Sequence, residues 1–254
     1  MGFDLAHVGA ALITSFLGSL VEFVEALTVV LAIGSVRGWR GAIAGSTAAL
    51  AVLLVLVAAF GSALTRVPLE SIQFAVAALL LLFGVRWLCK AILRAAGIIP
   101  LHDETAAYAR EAEAMRRLGR STQRWDRAAF AASFQITMLE GAEAVFIVVA
   151  VGAGGSGLLL PASVGALGAL LAVVGLGFAL HRPIANVPEN TMKFAVGVLL
   201  SALGAFWVGE GMELQWPGAD WSILGLVLGF LITGLGTVLL VRRRAGMSRL
   251  VATR

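Results

Sequence analysis

Seven long apolar stretches, separated by short connections and one polar insert, constrain this chain more than any motif does. They run at residues 8–34, 41–64, 72–93, 128–154, 158–180, 192–211 and 222–241. Crossing a hydrocarbon core of ~30 Å takes about 20 helical residues, and every stretch qualifies. Inside a bilayer no water satisfies backbone N–H and C=O groups, so each stretch must close its own hydrogen bonds as a helix. The expected fold class is therefore all-α, a polytopic membrane protein with seven transmembrane helices. Composition points the same way. Hydrophobic residues make up 59% of the chain and charged residues 13%, against about a quarter charged in a soluble domain. Thirty glycines suit a bundle in which small residues let helix backbones approach closely.

The net charge of +4 is spread as topology signals are, beside the spans, so the expected partner is the lipid bilayer and not nucleic acid. The first apolar run follows no basic segment and is too long for a cleavable signal, so it is read as the first span. With seven spans, one side receives Arg37, Arg40, the arginines from Arg94 to Arg127, Arg182 and those from Arg242 to Arg254. The other side receives Arg66 alone. This asymmetry predicts an outside N-terminus and a cytoplasmic C-terminus, and the short loops suit a bacterial plasma membrane. The outer face then holds Asp4, Glu70, Glu210, Glu213 and Asp220, an acidic mouth that would concentrate cations. The insert, rich in Ala, Glu and Arg, is expected to form an exposed amphipathic helix. The single cysteine, Cys89, excludes an internal disulfide or a cysteine cluster. His7, His102 and His181 lie at span ends or in the insert, a poor arrangement for a soft-metal or haem site.

The chain also repeats itself. Ser15 through Gly34 aligns with Ser133 through Gly152, which places Glu22, Glu25, Ala26, Ala32 and Gly34 on Glu140, Glu143, Ala144, Ala150 and Gly152. After two extra loop residues the register continues: Gly45 on Gly165, Val67-Pro68 on Val187-Pro188, Phe74 on Phe194, Gly84 on Gly204 and Trp87 on Trp207. The expected organisation is a first three-helix repeat at 1–95, a cytoplasmic polar insert at 96–127, a second repeat at 128–214, and a seventh helix with a basic tail at 215–254. Three is odd, so the second copy enters the membrane inverted. Inverted repeats are an architecture of secondary transporters, with the site near the midplane where the halves meet.

Glu22 and Glu25 fall near the middle of the first span, and Glu140 and Glu143 near the middle of the fourth. Spacing of i, i+3 puts each pair on one helix face. A carboxylate at the bilayer centre costs about 2.5–3.5 kcal/mol, so the four are expected to face the interior and converge. Four close carboxylates do not all ionise unless a cation neutralises them, and cation binding would displace any protons they hold. All-oxygen ligands favour Mn²⁺, Ca²⁺, Mg²⁺ or iron. Two other readings of the glutamates are protonated carboxyls bonded across helices and pairing with Arg86 or Lys90. Thr28, Gln135 and Thr137 are candidates for lining the pathway, and Glu210 and Glu213 for outer cation access.

The stretch from Leu139 through Glu140, Gly141, Ala142, Glu143 and Ala144 to Val148 resembles the signature of the oxidase-linked iron permease family, Arg-Glu-Gly-x-Glu. That family is similar in having seven spans, an outside N-terminus and two such motifs, in spans one and four. The resemblance implies that Glu22, Glu25, Glu140 and Glu143 match the family's iron-coordinating carboxylates. Val21 and Leu139 stand where the family has arginine, and Phe23 where glycine is usual. A wider superfamily of lysine exporters and manganese/calcium–proton exchangers is similar in its paired three-helix repeats.

The expected function is secondary transport of a metal cation, iron or another divalent ion, with protons as candidate coupling ions. The metal would be cargo and not a resident cofactor. No Gly-x-x-x-x-Gly-Lys-Ser/Thr loop occurs, and no enzyme chemistry is expected. Two alternatives remain: an exporter of an amino acid or small cationic solute, and a non-transporting sensor or assembly subunit. Either a homo-oligomer or an accessory subunit is compatible with the pattern.

Overall fold

The computed structural model describes residues 5–64, 69–101, 103–118, 125–153, 155, 157–180 and 189–252. Among these residues there are eight α-helices and no strand: α1 Leu5–Arg37, α2 Trp39–Leu64, α3 Leu69–Ala95, α4 Glu104–Arg117, α5 Arg127–Gly152, α6 Leu159–Leu180, α7 Glu189–Gly211 and α8 Ser222–Ala252. All but α4 are long and apolar enough to span a membrane. The chain is thus an all-α polytopic protein, as its apolar pattern requires. Most ends fall within three residues of the expected ones. The exception is α8, which runs past residue 241 because Arg242 donates from Nε and Nη2 to the Ala95 carbonyl, at 2.9 and 2.6 Å, fastening the extension to the end of α3. Between α1 and α2 only Gly38 intervenes, at φ 106°, a left-handed conformation that a residue with Cβ resists.

The packing exchanges one repeat for the other. α1 lies against α6 as α5 lies against α2, while α1 crosses α5 and α3 crosses α7. Small residues set the contact points. A Cβ on Gly45 would strike the Phe130 carbonyl and lie 3.0 Å from the Phe134 nitrogen. A Cβ on Gly165 would strike the Leu12 carbonyl and lie 3.0 Å from the Phe16 nitrogen. These are equivalent positions in the two copies. Likewise a Cβ on Gly84 would fall 2.5 Å from Ser201 N, and one on Gly204 2.5 Å from Leu81 N. The repeated glycines are therefore where backbones touch across the two copies. The match of Val67-Pro68 with Val187-Pro188, and the side chains of Asp4, Arg66, Glu70, His102, Arg120, Arg124, His181, Arg182, Arg249 and Arg254, lie outside the described residues.

The spans of α1 and α7 bury 56% and 61% of their apolar windows, against 17% for α8, so α1 and α7 form the centre and α8 the rim. The main core joins Leu80 and Trp87 of α3, Ile147 and Val151 of α5, and Val196, Leu200, Phe206 and Trp207 of α7. Outward-facing leucines such as Leu54, Leu171 and Leu228 are exposed, which suits contact with acyl chains.

One end of the bundle is clamped by the insert. Asp103 caps α4 by accepting from the Thr105 and Ala106 N–H groups, at 2.9 and 3.2 Å. Met115 of α4 packs with Ile33, Ala42 and Ala129, and Tyr108 Oη lies 2.8 Å from Ser35 Oγ. The insert thus forms the expected amphipathic helix, with Arg110, Glu113, Arg116 and Arg117 exposed on its charged face and Ala112 and Met115 buried against the bundle. Beneath it Arg37 Nε donates to Asp126 Oδ2 at 2.7 Å and Arg37 Nη1 to the Met115 carbonyl at 3.2 Å. Asp126 Oδ1 also caps α5, accepting from Ala128 and Ala129 N–H groups at 2.9 and 3.0 Å. Burial alone would raise the Asp126 carboxyl, but the Arg37 hydrogen bond and charge and the two N–H groups hold it below the usual carboxylate range.

Candidate cation site

Where α1 and α5 cross, the duplicated motifs meet. Oxygen atoms of Glu22, Glu140 and Glu143 all lie within 4.8 Å of one another, close enough for one ion to touch all three. Glu22 is 1% exposed, and its Oε1 has no hydrogen-bond partner among the described residues. A buried acceptor left without a donor is unfavourable by roughly 1–3 kcal/mol. Glu140 is half-buried and Glu143 more exposed, which grades the group from the interior outward.

These carboxylates line a cavity of about 150 Å³ together with Glu25, Phe83, Arg86, Trp87, Lys90, Arg94 and Lys193. Glu25 lines the same cavity and lies outside the three-carboxylate group; Lys193 Nζ from α7 donates to its Oε1. The same ammonium sits 5.6 Å from the Trp87 ring centroid, within reach of a cation–π attraction. Four basic side chains thus share the cavity with four acids. The carboxylates do not face one another alone, and the protein supplies counter-charge of its own. Arg94 Nη1 donates to Asn190 Oδ1 at 3.2 Å, tying the end of α3 to the start of α7 at the cavity's edge.

The remaining candidates lie elsewhere. Thr28 is buried in α1 and Gln135 is exposed on α5; neither lines the carboxylate cavity. Thr137 Oγ1 bonds Ser46 Oγ at 3.1 Å in the wall of a separate apolar cleft of about 490 Å³ between α1, α2 and α6. Glu210 and Glu213 are exposed at the far end of α7, with Glu213 in a turn, its N–H bonded to the Glu210 carbonyl at 2.9 Å. Near them His7 Nε2 lies 3.5 Å from Asp220 Oδ1.

Sequence reasoning passed over Lys193, although a charged residue inside an apolar span is a reason for suspicion. It also passed over three small hydroxyls on the glutamate helices. Ser15 and Ser19 precede Glu22 by seven and three residues, and Ser133 precedes Glu140 by seven, all on the glutamate faces. Their Oγ atoms are buried and without hydrogen-bond partners among the described residues. Because α5 runs opposite to α1, these hydroxyls extend from the carboxylates toward opposite ends of the bundle. No family model, curated protein or solved structure matches this chain.

Proposed function

We propose that this protein is a secondary transporter of metal cations, iron or another divalent ion such as Mn²⁺ or Ca²⁺, with proton coupling and no ATP chemistry of its own. The observation that carries this reading is the convergence of Glu22, Glu140 and Glu143 around one cavity, with the Glu22 oxygen unsatisfied. Three carboxylate oxygens suit a hard divalent ion. The buried hydroxyls before Glu22 and before Glu140 supply polar steps on either side of the site. Rocking of one three-helix copy against the other about the α1–α5 crossing would expose the site to each face in turn. In this reading the Arg37 end of the bundle is cytoplasmic and the Glu210 end faces outside, in a bacterial plasma membrane. The duplicated motif is also what the resemblance to the oxidase-linked iron permeases rests on.

A second reading is export of an amino acid or small cationic solute; its amino-acid form is favoured by Arg86, Lys90 and Arg94 in the cavity wall, which would suit the solute's carboxylate. Flux into proteoliposomes containing a pH dye separates the two. Fe²⁺, Mn²⁺, Ca²⁺, Mg²⁺ and lysine are offered in turn to wild type and to Glu22→Gln/Glu140→Gln protein. Metal flux in wild type that the double variant loses is the expected result. Lysine flux without metal flux would favour the second reading. No flux of any solute would leave the sensor or subunit role.

A further inference from the structure

The two copies of the motif are alike in sequence and unlike in the structure. Glu143 joins Glu22 and Glu140, whereas its repeat counterpart Glu25 is taken up by Lys193. In the repeat register Phe194 of α7 matches Phe74 of α3, so Lys193 stands where the first copy has Gln73, an ammonium in place of a neutral amide. The ammonium end is held between the Glu25 carboxylate and the Trp87 ring, in the cavity where the Glu22 oxygen lacks a partner. Its four-carbon stem gives the charge freedom to move while staying attached to α7.

We propose that Lys193 is a tethered counter-cation that withholds Glu25 from the carboxylate group and competes with the incoming cation, thereby setting the affinity of the site. This inference rests on the cation-transport reading above. A positive charge in a cavity of this size repels a divalent ion and occupies a carboxylate that would otherwise ligate it. Weak binding is useful to a transporter, which must release its ion as well as hold it. Replacing Lys193 with the glutamine of the first copy removes one positive charge from the cavity and breaks the bridge to Glu25, which lowers the repulsion and lets Glu25 turn toward an ion.

The test is Mn²⁺ binding to the purified full-length chain, for wild type, Lys193→Gln, Lys193→Arg, Lys193→Gln/Glu25→Gln and Glu140→Gln. Lys193→Gln is expected to bind Mn²⁺ about tenfold more tightly or better, and the added Glu25→Gln should remove most of that gain. Lys193→Arg, which keeps the charge, should stay near wild type. A merely structural bridge between α1 and α7 predicts the opposite, weaker binding in Lys193→Gln. Wild-type binding that Lys193→Gln leaves unchanged or weakens overturns the inference and leaves the transport reading standing. If neither wild type nor Lys193→Gln binds Mn²⁺, the inference fails together with the metal-site reading. Binding in wild type that Glu140→Gln retains overturns both as well, since the ion would then sit elsewhere.

Discussion

Asp126 shows how much one side chain joins in this protein. It caps α5 with one oxygen and holds Arg37, at the end of α1, with the other. Both side chains are nearly inaccessible, at 6% and 8% exposure, so Asp126→Ala leaves a buried guanidinium without its carboxylate. That change should lower unfolding stability by about 3 kcal/mol. The pH dependence follows from the depressed carboxyl. The pair's contribution is fully present above the unfolded value of about 3.9 and fades as pH falls through the lower folded value. Melting of detergent-solubilised protein should therefore show a wild-type advantage that is constant near neutrality and narrows only below about pH 4. An advantage that changes near neutral pH would place its source in another group. The glutamates differ among themselves at the same scale. Glu140→Gln should abolish cation uptake, because Glu140 is one of three converging carboxylates. Glu210→Gln/Glu213→Gln should leave uptake within about twofold, a change of under half a kcal/mol, since both lie at the far end of α7, away from the cavity. Equal losses in the two variants would contradict this division.

Among the elements, the crossing points make the repeat a physical object. Gly45→Ala and Gly165→Ala each push a Cβ against a carbonyl of the opposite copy, so the two should destabilise alike, by about 1–3 kcal/mol each. Gly175→Ala and Gly229→Ala meet open space and should be harmless or slightly stabilising. Thermal melting of the four variants checks this, and a large difference between Gly45 and Gly165 would speak against equivalent packing. The same elements show what was legible beforehand. Apolar length made the seven spans readable, because hydrocarbon leaves a chain no other backbone solution. Paired Glu, Pro and Trp made the repeat readable, since those residue types rarely recur in order by chance. The Arg37–Asp126 pair was not readable, because its partners are 89 positions apart and no local period links them. The docking of α4 was hidden for a similar reason: Met115 and Ala112 are buried by neighbours that tertiary packing alone brings in. Lys193 was missed because a lysine near a span end ordinarily snorkels to the interface. Only the fold aims it at Glu25.

For the whole molecule, the arginine-rich end carries α4, Arg37, Arg94 and Arg242, and Glu210 and Glu213 are exposed at the opposite end. A cytoplasmic arginine-rich end predicts that, in a Cys89→Ser background, Arg116→Cys reacts with an impermeant thiol reagent only after cells are opened. Labelling of intact cells would invert the orientation. In the proposed function, Glu22, Glu140 and Glu143 hold the transported ion. The most direct test of this is a structure determined with Mn²⁺ and read by anomalous scattering. A single strong peak among those three carboxylates, absent in Glu140→Gln protein, is expected. A peak at the Glu210–Glu213 end, or none while Arg86 and Lys90 close on the glutamates, would contradict it.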